Sequence, residues 1–135
     1  MAILDSGATI HVFNDLSRFS NFRKAPRGDY LLAGSSEVPI LGYEDVALQI
    51  KGKGASKGAS KVLKLKNVAF CTDFATNLVL FMLLKARGIY WNTLNNTLFH
   101  NRDSTVIGTL KEIAGQHVIE ENGLPSVLAA SWIQT

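Results

Sequence analysis

Short apolar runs separated by small or polar residues dominate the first half of the chain, and this pattern predicts strands rather than helices. Residues 2–4 form the first run and residues 10–13 form the second. Residues 30–41 contain two apolar stretches on either side of Gly-Ser-Ser at positions 34–36, which is the signature of a β-hairpin. The chain therefore starts with the pattern of an all-β protein.

Alternation of apolar and polar positions predicts two longer strands. Val46, Leu48 and Ile50 alternate with Ala47 and Gln49, and residues 63–66 read Leu-Lys-Leu-Lys. Each strand should therefore bury one face and expose the other.

Residues 51–61 connect these two strands and contain glycine, alanine, serine and four lysines, with no side chain able to fill a core. We expect a flexible, solvated loop. The alternative interpretation is a polyanion-binding loop, which the lysines alone support weakly because no aromatic residue accompanies them.

Residues 77–88 are predicted to form the one helix of the domain. Thr76 or Asn77 can cap its start, and Gly88 can end it in the left-handed conformation. Residues 78–84 are apolar on every side, so we expect the helix to be buried on most faces. Periodicity alone would also allow a strand, and the cap and stop signals favour the helix.

Short strand patterns return in the last third of the chain, at residues 89–91, 97–100, 105–107 and 117–119. We predict one domain over residues 1–119 and a C-terminal tail over residues 120–135. The tail is apolar and short, and its sequence does not choose between a docked helix, a partner-binding segment and a frayed end.

Composition narrows the class of protein. The chain has 135 residues, of which 47% are hydrophobic and 19% charged, as expected of one globular domain. The net charge of +3 is too small to imply a nucleic-acid partner. The single cysteine, Cys71, excludes a disulfide within the chain and is expected to be buried. The longest apolar run is far below the ~20 residues that span a membrane, so we expect a soluble, cytoplasmic protein.

Residues 3–8 read Ile-Leu-Asp-Ser-Gly-Ala, with Asp5 at the end of an apolar strand. A lone Asp-Ser-Gly is a common turn. Here, however, residues 32–42, 65–68, 77–79 and 83–88 follow Asp5 in the order and approximate spacing of one known family of proteases. Over residues 2–115, the chain resembles the retropepsin-like aspartic proteases of copia-type LTR retrotransposons.

The resemblance implies a mainly β, closed barrel with one helix, the acid protease fold, which functions as a homodimer. Each chain would contribute one Asp-Ser-Gly loop to a site on the two-fold axis. The sequence supports this independently, because Asp103-Ser104 is followed by Thr105 and no second Asp-Ser/Thr-Gly is present. A second carboxylate must then come from a second chain.

The resemblance also implies roles for individual residues. Asp5 would be the catalytic acid and base, supported by Ser6 and Gly7 in the same loop. The substrate-binding residues would be Ala8 and the hairpin residues Leu32, Ala33, Gly34, Ser35 and Ser36. The family needs no metal and no cofactor. The expected partners are a second copy of the chain and an extended Gag-Pol polyprotein substrate, with no membrane or nucleic acid.

Two features leave an alternative open. Phe74-Ala75-Thr76 stands where retropepsins usually carry two apolar residues and a glycine, and residues 79–82 are more apolar than the family pattern. The alternative is a catalytically inactive or domesticated copy that serves as a dimerisation or protein-binding module. His11 lies six residues after Asp5, but aspartic proteases need no histidine, so we expect no direct role for it.

Overall fold

The computed structural model describes residues 1–5, 10–19, 23–24, 28–33, 35–51 and 60–122. Within these ranges the chain forms twelve strands, a 3-10 helix at Leu16–Arg18 and the helix α1 at Phe81–Ala86. The strands are β1 (Ala2–Asp5), β2 (Val12–Phe13), β3 (Arg23–Lys24), β4 (Tyr30–Ala33), β5 (Ser36–Pro39), β6 (Gly42–Lys51), β7 (Ser60–Phe70), β8 (Asn77–Leu80), β9 (Ile89–Asn92), β10 (Thr97–His100), β11 (Val106–Ile113) and β12 (Gln116–Ile119). Neither described helix has the length and apolar character that crossing a membrane requires.

Ten of the strands form one curled sheet in the order β3-β6-β7-β2-β8-β1-β12-β11-β10-β9. The chain that leaves β12 also reaches β6. Lys51 N–H donates to the Glu120 carbonyl at 2.9 Å, and Asn122 N–H donates to the Gln49 carbonyl at 2.8 Å. These bonds bring distant parts of the sheet together, and the predicted all-β barrel class is confirmed.

The core lies inside this curled sheet. Val46, Leu48 and Ile50 on β6 are buried together with Leu63 and Leu65 on β7, while the alternating positions of these strands face solvent. The two predicted alternating strands are therefore confirmed. Their burial on one face follows from the two-residue period of a strand.

The predicted helix over residues 77–88 is wrong in its first part, because Asn77–Leu80 forms strand β8. This strand lies between β1 and β2 and is bonded to a neighbour on each side. A central strand buried on both faces reads as a continuous apolar run, which periodicity cannot distinguish from a buried helix.

Asn77 was expected to cap the start of the helix by accepting from a backbone N–H of its first turn. The Asn77 Oδ1 instead accepts from the backbone N–H of Asn14, across the sheet, so Asn77 does not cap a helix. Helix α1 begins only at Phe81, and the expected burial on most faces is also wrong, since Met82 is 56% exposed. Gly88 does adopt the left-handed conformation, with φ of +81°, shortly after the helix ends.

The remaining sequence predictions divide into those confirmed and those outside the described residues. The hairpin over residues 30–41 is confirmed as β4 and β5, and the hairpin near residue 100 as β10 and β11. Cys71 is fully buried, as expected, and burial, aided by the charge of Asp73, raises the pKa of its thiol to about 11. Most of the lysine-rich loop, residues 52–59, and the tail from residue 123 lie outside the described residues. The boundary between domain and tail stays a prediction.

Candidate functional site

Asp5 is the last residue of β1, a buried strand in the middle of the sheet. Ala2, Ile3 and Leu4 before it are buried, whereas Asp5 itself is half-buried. In the parallel pairing of β1 with β8, Asp5 is opposite Leu80, the last residue of β8. The predicted supporting residues Ser6 and Gly7, and Ala8, lie outside the described residues.

Strand β8 is held in place at its start by the side chain of Asn77. Asn77 Oδ1 accepts from the N–H of Asn14 at 2.8 Å, and Asn77 Nδ2 donates to the Met1 carbonyl at 2.9 Å. One buried amide therefore bonds to the chain on both sides of β8. Because the strand beside Asp5 is fixed in this way, Asn77 helps to set where Asp5 lies.

Strand β8 is held at its other end by His11, a residue that the sequence did not assign to the site. His11 is buried, with only 2% of its surface exposed. Its Nδ1 accepts a hydrogen bond from the backbone N–H of Leu80 at 2.9 Å. Burial, and then the positive charge of Arg87, lowers the pKa of His11 to about 4. The imidazole is therefore neutral near pH 7, with its proton on Nε2. The signal in the sequence was a histidine inside an apolar strand just after the Asp-Ser-Gly motif.

The β4–β5 hairpin, which carries the predicted substrate-binding residues, forms a separate two-stranded sheet. Leu31, Ala33 and Val38 pack with Ile10 and Val12 in a second apolar cluster. Because Ile10 and Val12 belong to the segment that follows the Asp5 loop, the hairpin lies against that segment. Of the predicted hairpin residues, the structure thus places Ala33 in the same apolar cluster as Ile10 and Val12.

The outer face and tip of the hairpin are open to solvent. Leu32 is 70% exposed, and Ser35 and Ser36 are exposed as well. Gly34 lies outside the described residues. The predicted substrate-binding residues therefore divide between Ala33, which packs inward, and neighbours that face outward.

The base of the hairpin is bonded firmly to the rest of the chain. Ile40 N–H donates to the Asp29 carbonyl at 3.0 Å, and Leu41 N–H donates to the Phe70 carbonyl at 2.8 Å. The Tyr43 hydroxyl donates to Asp29 Oδ2 at 2.7 Å. Burial, and then the neighbouring carboxylate of Asp29, raises the pKa of Tyr43 to about 12. These bonds fix the base of the hairpin to the rest of the chain.

A cavity of about 280 Å³ lies away from Asp5, among strands of the curled sheet. It is lined by Ile50, Lys61, Val62, Leu63, Lys64, Arg87, Ile89, His100 and Ile107. None of these residues belongs to β1 or to the hairpin. Within the described ranges, no three histidine, cysteine or carboxylate side chains are grouped closely enough to hold a metal ion.

Comparison with known protein families places most of the chain in one of them. The family model of the β-barrel domain of Pol polyproteins matches residues 2–89, well over half of the chain. The matched stretch contains Asp5, the β4–β5 hairpin, β8 and α1. No curated protein and no solved structure matches the chain.

Proposed function

This chain belongs to the family of Pol polyprotein β-barrel domains, and from that premise we propose that it is the aspartic endopeptidase of a copia-type retroelement. The observation that carries the proposal is Asp5, a half-buried carboxylate at the end of a buried strand, followed by Ser-Gly. A retroelement Pol polyprotein has to be cut into its parts, so a domain with one such acid fits a processing enzyme. Its substrates would be extended Gag-Pol segments in a cytoplasmic retrotransposon particle.

The proposed active species is a symmetric homodimer. Each chain has a single Asp-Ser-Gly, and the other Asp-Ser, at Asp103, continues with Thr105 in an exposed turn. A two-fold axis beside Asp5 would supply the second carboxylate from a second copy.

The proposed chemistry needs only the two carboxylates and water. Two carboxylates ~3 Å apart cannot both ionise cheaply, so they share one proton. The ionised Asp5 takes a proton from a water molecule, and that water attacks the scissile carbonyl. The protonated Asp5 of the other chain donates a hydrogen bond to the carbonyl oxygen. The tetrahedral intermediate breaks down when a proton passes to the leaving nitrogen.

The remaining roles follow from the same proposal. The Ser6 hydroxyl would bond across the dimer to fix the acids, and Gly7 would allow the backbone to approach them closely. Ala8 would line the floor of the cleft. The hairpin residues at 32–36 would cover an extended substrate, which can pair with a free strand edge of the hairpin.

The decisive experiment replaces Asp5 with asparagine, which keeps the shape of the side chain and removes its ionisation. The full 135-residue chain is incubated with a library of unstructured peptides, and products are identified by mass spectrometry. We expect cleavage by the wild type and none by Asp5→Asn, with unchanged circular dichroism. The matched control is Asp103→Asn in the other Asp-Ser sequence, which should cleave normally. Cleavage that survives Asp5→Asn would refute the proposal.

The dimer is tested by the concentration dependence of activity. If two chains share one site, the specific activity rises with chain concentration and levels off once the dimer is populated. Sedimentation over the same concentrations should follow the same curve. Adding an excess of the Asp5→Asn chain to the wild type should inhibit it, because mixed dimers have only one ionisable acid. Full activity from a strictly monomeric chain would contradict the proposal.

The alternative function is a catalytically inactive module for dimerisation or protein binding, and exposed apolar side chains favour it. Met82 on α1 and Leu94 in the turn after β9 are both largely exposed, and a partner protein that covered either side chain would remove its apolar surface from water. This alternative predicts self-association without any Asp5-dependent cleavage. The same peptide assay and sedimentation series therefore separate the two functions.

A further inference from the structure

The pairing between β2 and β8 is too short to hold the whole of β8. The two strands share one antiparallel register pair, Val12 opposite Leu78. If this register continued, residue 10 would be opposite Leu80, and its backbone would face the Leu80 N–H. The ladder does not continue, and the imidazole Nδ1 of His11 accepts from Leu80 N–H instead, at 2.9 Å.

Leu80 connects three parts of the candidate site. It is opposite Asp5 in the parallel ladder, it is the last residue of β8, and it is the residue that precedes α1. Its side chain makes no capping hydrogen bond to α1. The His11 bond therefore fixes the backbone at the point where β8 turns into the helix and lies beside Asp5.

Only neutral His11 can make this bond, because a protonated imidazole has no acceptor atom. The residue is almost fully buried, and the positive charge of Arg87 further disfavours protonation. The other ionisable groups on neighbouring elements are Asp5 across β8, the buried thiol of Cys71 after β7, and four lysines that are exposed to solvent: Lys61, Lys64 and Lys66 on β7 and Lys85 on α1. The imidazole therefore stays an acceptor through the neutral and mildly acidic range.

We propose that neutral His11 is a positioning residue that holds the end of β8 against Asp5 and so keeps the catalytic carboxylate in its working position. The inference rests on the proposed aspartic protease function. His11 does not touch the substrate in this account. It acts through the Leu80 backbone, and small displacements of a reacting group are known to reduce rates strongly.

Two substitutions separate the hydrogen bond from the packing of the side chain. His11→Asn places an amide Oδ1 near the position of Nδ1 and cannot take up a proton in this pH range. His11→Leu fills similar space but leaves the buried Leu80 N–H without an acceptor. We expect kcat to fall at least about tenfold in His11→Leu with little change in KM, and to stay within about threefold of wild type in His11→Asn. Wild-type kcat in His11→Leu, or equal losses in both variants, would overturn the inference.

Measurements on the folded chain test the same bond without an activity assay. Nitrogen-15 NMR of the wild type at pH 7 should show His11 with Nδ1 unprotonated and Nε2 protonated. Hydrogen exchange at the Leu80 amide should be slow in the wild type and in His11→Asn, and at least about tenfold faster in His11→Leu. A protonated Nδ1, or an unchanged exchange rate in His11→Leu, would overturn the inference.

The pH dependence of stability tests whether His11 is buried and neutral in the folded chain, which the bond to Leu80 requires. The pKa of His11 is lower in the folded chain than its ordinary value of 6.5, so its stabilising contribution is complete above that value and is lost as pH falls toward about 4. The melting temperature of the wild type should fall over this window more than that of His11→Asn. Parallel curves for the two proteins would contradict the inference.

Failure of the proposed function gives a different result from failure of the His11 inference. If Asp5→Asn leaves cleavage intact, the aspartic protease proposal fails, whatever His11 does. If cleavage depends on Asp5 but His11→Leu changes neither kcat nor the exchange rate of the Leu80 amide, the protease proposal stands and the positioning role of His11 is wrong.

Discussion

Removing the Asn77 side chain should destabilise the fold by an amount that its two hydrogen bonds determine. Asn77→Ala deletes the bond from the Asn14 N–H, at 2.8 Å, and the bond to the Met1 carbonyl, at 2.9 Å. Asn77 itself is buried, so water cannot easily replace its amide. Strand β8 would then keep only its backbone pairing and the His11 bond.

The magnitude follows from the number and burial of these bonds. A typical hydrogen bond contributes about 1 kcal/mol to stability, and an orphaned buried partner costs more, so we expect a loss of about 2–3 kcal/mol. The entropy of unfolding grows with chain length, and it sets how far a loss of stability lowers the melting temperature. For a chain of 135 residues, each kcal/mol of lost stability lowers the melting temperature by about 3–4 °C. The expected fall in melting temperature is therefore about 7–10 °C.

The assay is urea unfolding followed by fluorescence, with thermal unfolding as a second measurement. We expect the urea midpoint to fall while the slope of the transition stays constant, because the surface exposed on unfolding does not change. The matched control is Asn101→Ala, the same substitution in an exposed turn, which should stay within about 0.5 kcal/mol of wild type. An Asn77→Ala protein as stable as wild type would refute the assignment of Asn77 as the amide that fixes β8.

Three further predictions concern the hairpin base, the core and the thiol. Tyr43→Phe removes the 2.7 Å hydrogen bond to Asp29, so the hairpin base becomes less fixed. We expect KM for an extended peptide to rise several-fold, with a smaller effect on kcat, and an unchanged KM would contradict this. A Cβ added at Gly108 would stand 3.0 Å from Ile50 Cδ1, so Gly108→Ala should cost about 1–3 kcal/mol in urea unfolding, and a neutral effect would show that Ile50 moves freely. The buried Cys71 thiol, with its pKa near 11, should react with iodoacetamide at pH 8 at least about a hundredfold more slowly than the urea-unfolded chain, and equal rates would show that the thiol is accessible.

Local patterns were sufficient for most strands of this protein. The alternation at Val46, Leu48 and Ile50 predicts a half-buried strand because side chains on a strand point alternately to its two faces, and β6 has that burial pattern. The turn residues at 34–36 predict the β4–β5 hairpin because small residues permit the tight backbone turn. These features depend only on neighbours in sequence, so the sequence is enough to find them.

Residues 77–80 show where local reasoning fails. The segment is apolar without a break, and Asn77 is a good helix cap by composition, yet the segment forms β8. Its conformation is decided by β1 and β2, which lie about 65–75 positions away in sequence and bond to it from both sides. Pairing partners at that distance cannot be read from a local pattern.

The candidate site divides in the same way. The Asp-Ser-Gly motif at Asp5, its position after an apolar strand, and the single copy per chain are properties of the sequence alone. Only the tertiary structure placed Leu80 opposite Asp5 and turned His11 into an acceptor for the Leu80 N–H. The physical reason is that a residue's chemical type is local, whereas the partner that uses it is supplied by a strand brought alongside when the sheet forms.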